Sequence, residues 1–356
     1  MSSQYKIQYF LGSNTKKGFA SLFEQLRDPL KGRTMYILKG GPGSGKSSLM
    51  KRIGATLEEM GHRLEYFPCA SDPESLDALL DYDAFISIVD GTAPHTMDPK
   101  YPGAYEIMIN LGEAWDQKEL SRNKTKIIEL SDLISSYHSM AGYCITAATT
   151  LLDTNRSIAM LYVDRKSIQD AIHMLTDQLS NGKKGEEHKR LLSAVSVGRI
   201  VFFDQTLKAL CPKLYLIPDQ WGAAAGFILR EIHEYALSMK LEVFTCYCSI
   251  EGKDKIDHLL FPSLGIGVTT SNSFHKTDPT FGISIDDLML QVPDADAAVL
   301  RGNLETAGNL LDSAAGNVEK AKLLHDQLEA FYIASMDFTK LDAIYDRLLE
   351  EILRPN

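Results

Sequence analysis

Gly40-Gly41-Pro42-Gly43-Ser44-Gly45-Lys46-Ser47 has the form of a Walker A loop, and Met35-Tyr36-Ile37-Leu38 ahead of it reads as the buried strand such a loop leaves. A glycine-rich turn between a strand and a helix lets successive amides point inward around phosphates, and the helix N-terminus adds partial positive charge. On this reading residues 40–45, Ser48 and the amides between them cradle a nucleoside triphosphate. Lys46 reaches the β- and γ-phosphates, and the Ser47 hydroxyl ligates Mg²⁺.

Downstream, Leu49, Ile53 and Leu57 recur at helical spacing, and Gly61 ends the helix. Leu64-Glu65-Tyr66-Phe67 is expected as a strand and residues 75–80 as a short helix. Phe85-Ile86-Ser87-Ile88-Val89 is expected as a second buried strand that ends in Asp90. Apolar residues before an aspartate have the Walker B form, and Asp90 would hold Mg²⁺ opposite Ser47. Asp72 follows the second strand and has two readings: a carboxylate that orients an attacking water or substrate, or the N-cap of the 75–80 helix. His95 is a candidate γ-phosphate contact or a structural histidine. No glutamate follows Asp90, so enzymes that place a water-activating Glu there match poorly.

The chain also repeats itself. Leu64-Glu65-Tyr66-Phe67-Pro68-Cys69 returns 177 residues later as Leu241-Glu242-Val243-Phe244-Thr245-Cys246. Asp77-Ala78-Leu79-Leu80 returns at an offset of 180 as Asp257-His258-Leu259-Leu260, and His95 meets His275 at the same offset. Collinear matches over such a span read as an internal duplication. At an offset of 179, Lys46 falls on Ala225 and Ser47 on Gly226, while Asp90 meets Thr270 at 180. The second copy lacks the ammonium, the hydroxyl and the acid, so it should not bind Mg-nucleotide. Asp77, which recurs beside that altered loop, is expected to be structural.

Each repeat ends in helical sequence, over residues 105–179 and 299–353. The stripe formed by Leu328, Phe331, Leu341, Ile344 and Leu348 would bury against its counterpart or against a second molecule. A homo-oligomer or a protein partner through these segments therefore stays open. Arg122, Arg156, Arg165 and Arg301 are the pool for any arginine finger.

Composition sets the outer bounds. The 356 residues, 44% hydrophobic and 24% charged, suit about two globular domains. A net charge of -10 argues against a nucleic-acid surface. Five scattered cysteines fit a reducing compartment better than a disulfide framework, and Cys246-Tyr247-Cys248 alone makes no metal site. No apolar run of spanning length or signal pattern is visible, which gives no membrane partner and a cytoplasmic expectation.

The sequence resembles a family of uncharacterised bacterial P-loop ATPase-like proteins with two P-loop halves in one polypeptide. The resemblance rests on Gly12-Ser13-Asn14-Thr15-Lys16-Lys17-Gly18-Phe19, Leu38-Lys39 with the Walker segment, Ser71-Asp72-Pro73, and Asp90-Gly91-Thr92-Ala93-Pro94-His95. It implies ATP binding and a duplicated α/β fold, and it brings no substrate. Residues 12–18 read from their own composition as a strand-to-helix turn, with Asn14 and Thr15 as candidate nucleotide contacts.

The expected architecture is α/β, two tandem P-loop NTPase-like domains with mainly parallel sheets, each followed by a helical insertion. The first spans residues 1–182 and the degenerate repeat residues 186–356. The expected activity is Mg²⁺-dependent ATP hydrolysis at one site, with Lys46, Asp72 and Asp90 as the catalytic set. A kinase using Asp72 as base and a non-catalytic nucleotide sensor are the alternatives.

Overall fold

The structure, a computed structural model, describes residues 6–93, 96–278 and 282–354, the side chain of Asp254 excepted. The first repeat opens with β1 (Ile7–Gln8) and a hairpin of β2 (Gly12–Thr15) and β3 (Gly18–Ser21). Then come β4 (Thr34–Lys39), α1 (Lys46–Glu59), β5 (Leu64–Cys69), β6 (Asp72–Asp81), β7 (Ile86–Asp90) and β8 (Glu106–Asn110). Helices α2 (Gln117–Arg122), α3 (Lys124–Ala159) and α4 (Arg165–Leu179) follow.

The second repeat carries β9 (Glu187–Arg190), the hairpin β10 (Ser193–Val195) and β11 (Ile200–Phe202), α5 (Asp204–Leu210), β12 (Lys213–Pro218) and α6 (Ala224–Ser238). It continues with β13 (Val243–Cys248), β14 (Gly252–Phe261), β15 (Ile266–Ser271), β16 (Gly282–Ser284), α7 (Asp294–Ala334) and α8 (Phe338–Leu353).

The fold is mixed α/β with mostly parallel sheets, and the two main sheets repeat one topology. Their orders are β1-β5-β6-β7-β4-β8 and β9-β13-β14-β15-β12-β16. In each, the third strand runs antiparallel to both neighbours and every other pair is parallel. Central strands are buried on both faces, which is why β4 and β12 read as continuous apolar runs. The strands of the first main sheet end at Asn110 and those of the second begin at Glu187, while the compact units of the chain do not divide at residues 182–186.

Several local expectations are corrected. Residues 75–80 are not a helix: they lie in β6, paired on one side with β5 and on the other with β7. Leu and Ala favour a helix, but residues 76–81 are buried within the sheet, and ladder hydrogen bonds on both edges decide the conformation. Asp72 therefore caps no helix. Its Oδ1 accepts the amide of Glu74 at 3.3 Å in the turn that opens β6. Residues 12–18 form the β2–β3 hairpin rather than a strand-to-helix turn, with Gly18 at φ +97° where a side chain would be strained. Residues 106–110, expected as helical sequence, add β8 beside β4.

Asp77 and Asp257 have the same structural place. In β6 the register steps from Phe67↔Ala78 to Pro68↔Leu76, and in β14 from Cys246↔His258 to Tyr247↔Ile256. Each aspartate is the extra residue of a bulge, the device by which a strand re-aims a side chain.

The chain forms two compact units. One comprises Met1–Gly12, Ser21–Met140 and Asn317–Asn356; the other comprises Ser13–Ala20 and Ala141–Gly316. In the first unit the core joins α1 residues Leu49, Ile53 and Leu57 to Leu341, Leu348 and Ile352 of α8. In the second it joins α6 residues Ile228 and Ile232 to Ile168, Ile172 and Leu175 of α4. Each unit is thus completed by the last helix of the other repeat, and the apolar stripe of α8 finds its partner within the chain.

Candidate functional site

The 40–47 loop leaves β4 and enters α1, whose first residue is Lys46. Gly43 at φ +65° and Gly45 at φ +81° hold the left-handed conformations that turn the loop, with Gly45 as the residue before the helix. β4 pairs directly with β7, Leu38 opposite Asp90, so the loop and the acid stand at the same end of two adjacent parallel strands. The Lys46 ammonium lies 3.5 Å from Asp90 Oδ2 and donates to the carbonyls of Gly40 and Gly41, each at 2.8 Å. Asp90 Oδ1 accepts from the amide of Thr92 at 2.9 Å and from its hydroxyl. The Ser47 hydroxyl oxygen accepts the amide of Leu76 at 2.9 Å, which ties β6 to the helix start.

The structure therefore brings Lys46 and Asp90 together, and holds Ser47, the next residue of α1, against β6. Asp72 lies at the head of β6, its Oδ2 3.4 Å from the ammonium of Lys322 on α7. His95 falls outside the described residues. Asn14 and Thr15 belong to the second unit, where Lys16 donates its amide to Ile250 and pairs with Asp153 and Glu251. Of the arginines, Arg122 pairs with Glu119 on its own helix, and Arg156 pairs with Glu251 and Asp153.

Sequence reasoning missed the helical cover of the loop. The amide of Gly43 donates to Glu329 Oε1 of α7 at 3.2 Å. A Cβ added at Gly41 would stand 2.8 Å from the Tyr332 ring, one at Gly43 2.9 Å from the Glu329 carbonyl, and one at Gly45 2.5 Å from Leu341. Gly41, Gly43 and Gly45 are thus required by packing as well as by any phosphate. A glycine-rich motif carries no signal that separates the two demands.

The corresponding loop of the second unit keeps the shape and changes the chemistry. Gly222 stands at φ +72°, as Gly43 stands at +65°. Asp219, which occupies the position of Gly40, turns its carboxylate into the loop. Oδ1 accepts the amides of Trp221 and Ala223 at 3.3 and 3.2 Å, and Oδ2 accepts that of Ala225 at 2.7 Å. Burial pushes the Asp219 carboxyl up, against the opposing pull of those amides. The anion cradle of the second repeat is filled from within.

No helix among the described residues is long and apolar enough to cross a membrane. Comparison of the chain with protein-family models, with curated proteins and with solved structures gave no match.

Proposed function

We propose that the first unit is a P-loop NTPase-type site that binds one Mg-ATP and hydrolyses its γ-phosphate. The observation that carries this reading is the placement of Lys46 at the start of α1, 3.5 Å from Asp90 at the end of the adjoining parallel strand. Lys46 releases its loop carbonyls to neutralise charge on the β- and γ-phosphates, while loop amides from Gly40 to Ser48 cradle them. Ser47 retains a lone pair and its proton beside the Leu76 amide, so its oxygen and the Asp90 carboxylate would hold Mg²⁺, which would supply charge neutralisation. Water attacks the γ-phosphorus and the bond to the bridging oxygen breaks, giving ADP and inorganic phosphate.

Hydrolysis is preferred to a kinase reaction because Asp72, the base a kinase would use, is paired with Lys322. The sensor reading draws on Glu329, whose carboxylate holds an amide that a phosphate would take, so nucleotide entry must shift α7. Phosphate release from ATP by the full chain, with Mg²⁺ and no acceptor, tests the proposal. Turnover that is lost in Lys46→Ala is expected; tight ATP binding without turnover would leave the sensor, and acceptor-dependent release would favour the kinase.

A further inference from the structure

The second unit holds a buried group of ligating side chains that plays no part in nucleotide chemistry. Asp257 and His258 lie on β14, and His275 follows β15. One oxygen of Asp257 and one nitrogen from each imidazole lie within 4.8 Å of one another, and all three residues are buried. Neighbouring strand residues ordinarily face opposite ways, but the bulge at Asp257 lets both join one cluster. Both rings are held by hydroxyls: Thr269 Oγ1 engages Nδ1 of His258 at 2.5 Å, and Thr270 Oγ1 engages Nε2 of His275 at 2.7 Å. Each hydroxyl engages one ring nitrogen, so a metal would be taken by the other, Nε2 of His258 and Nδ1 of His275.

Two observations point to a ligand. Asp257 Oδ1 is buried without a well-aligned hydrogen bond, although the Lys255 ammonium stands 3.0 Å away. Asp257 and His275 also line a partly open cavity of about 50 Å³, room for a water as a fourth ligand. Tetrahedral zinc with bonds of about 2.1 Å holds its ligand atoms roughly 3.4 Å apart. Ligand atoms that now lie within 4.8 Å of one another would close to that spacing around such an ion. Lys255 has a second acceptor 3.9 Å away in Glu251, to which its ammonium can turn when a cation takes its place.

We propose that Asp257, His258 and His275 bind one divalent transition-metal cation, with Zn²⁺ the ion their two imidazoles and carboxylate suit best. The site is independent of the nucleotide reading and is tested without nucleotide. The full chain, stripped with chelator, is titrated with Co²⁺ in excess Mg²⁺ and then with Zn²⁺. One equivalent should bind with the intense visible bands of four-coordinate cobalt, and zinc should displace it. His258→Ala and His275→Ala should each weaken binding at least 100-fold, while Thr270→Val, which keeps all three ligands, should weaken it about tenfold. Lys255→Met, which removes the competing charge, should tighten it. Weak octahedral bands alone, less than one equivalent at micromolar metal, or full binding in His258→Ala would overturn the proposal. The last result would move the ion to the half-exposed His325, Asp326 and Glu329 of α7. Should the alanine variants not fold, Thr270→Val and Lys255→Met decide the matter by moving affinity in opposite directions or failing to do so.

Discussion

The carboxylate of Asp219 accepts the amide of Ala225 at 2.7 Å, in a loop where Ala225 holds the place that Lys46 holds in the first repeat. The same loop geometry thus meets its anion in two ways. In the second unit the carboxylate comes from the loop, and the neighbouring helix presents a cation: Arg156 Nε would lie 3.7 Å from a Cβ at Gly222. In the first unit the loop carries no acid of its own, and helix α7 presents Glu329. Counting back from the capping residues Asp164 and Asp337, Arg156 and Glu329 occupy equivalent positions on their helices, so the charge facing the loop has reversed.

Replacing Asp219 removes the acceptor of three amides in a buried loop. Asp219→Ala is expected to lower stability by about 2–4 kcal/mol, and Asp219→Asn by somewhat less, because Asn keeps one acceptor oxygen although its Nδ2 would face a donor. Urea unfolding of each variant measures this. A loss below about 0.5 kcal/mol would show that the carboxylate does not hold the loop.

Glu329 accepts the Gly43 amide, so under the proposed reading it would compete with phosphate for that donor. Glu329→Gln is expected to raise affinity for Mg-ATP about tenfold, the equivalent of roughly 1.4 kcal/mol from one charge-assisted hydrogen bond. Fluorescent-nucleotide titration reads the shift, and unchanged or weaker binding would mean that Glu329 aids nucleotide binding rather than opposing it.

Asp90→Asn should weaken dependence on Mg²⁺ more than affinity for the nucleotide, because in the proposed site the carboxylate would serve the metal and the loop amides the phosphates. A magnesium series of turnover, with nucleotide affinity measured in parallel, separates the two. An unchanged magnesium midpoint would remove Asp90 from the site.

Glu187 on β9 accepts Nε2 of His233 at 2.8 Å. Burial alone would push its carboxyl up, yet His233 and the charge of Lys189 outweigh burial and hold it at about 2, below the ordinary 4.5. A depressed carboxylate stabilises the fold above its unfolded value, and the gain fades as pH falls from about 4.5 towards 2. Glu187→Gln should therefore cost about 2 kcal/mol at pH 7 and almost nothing near pH 2. Equal costs at both pH values would contradict the linkage.

Much of this was legible in the residues themselves. The strand, turn and helix around residues 35–59 and the strand that ends in Asp90 were readable because glycines after an apolar run mark a turn and an apolar run marks a buried strand. The repeat was readable because β5 and β13 share an apolar pattern, although the match at offset 177 sits two residues out of register: strand pairing equates Pro68 with Tyr247 and Cys69 with Cys248. Residues 75–80 misled because leucine and alanine favour a helix where no ladder competes, and here strands close on both sides. The exchange of α4 and α8 between units left no trace, since an amphipathic stripe such as Leu341, Leu348 and Ile352 states that it is buried and not against which sheet. Asp219 was passed over for a like reason: a lone acid before a degenerate loop shows its role only when its oxygens are seen among the amides.

The asymmetric account rests on one active loop and one filled loop. Calorimetric titration of the full chain with a non-hydrolysable ATP analogue and Mg²⁺ reads it directly. The account predicts one nucleotide per chain, lost in Lys46→Ala and retained in Asp219→Asn. Two nucleotides per chain, or one that survives Lys46→Ala, would contradict it.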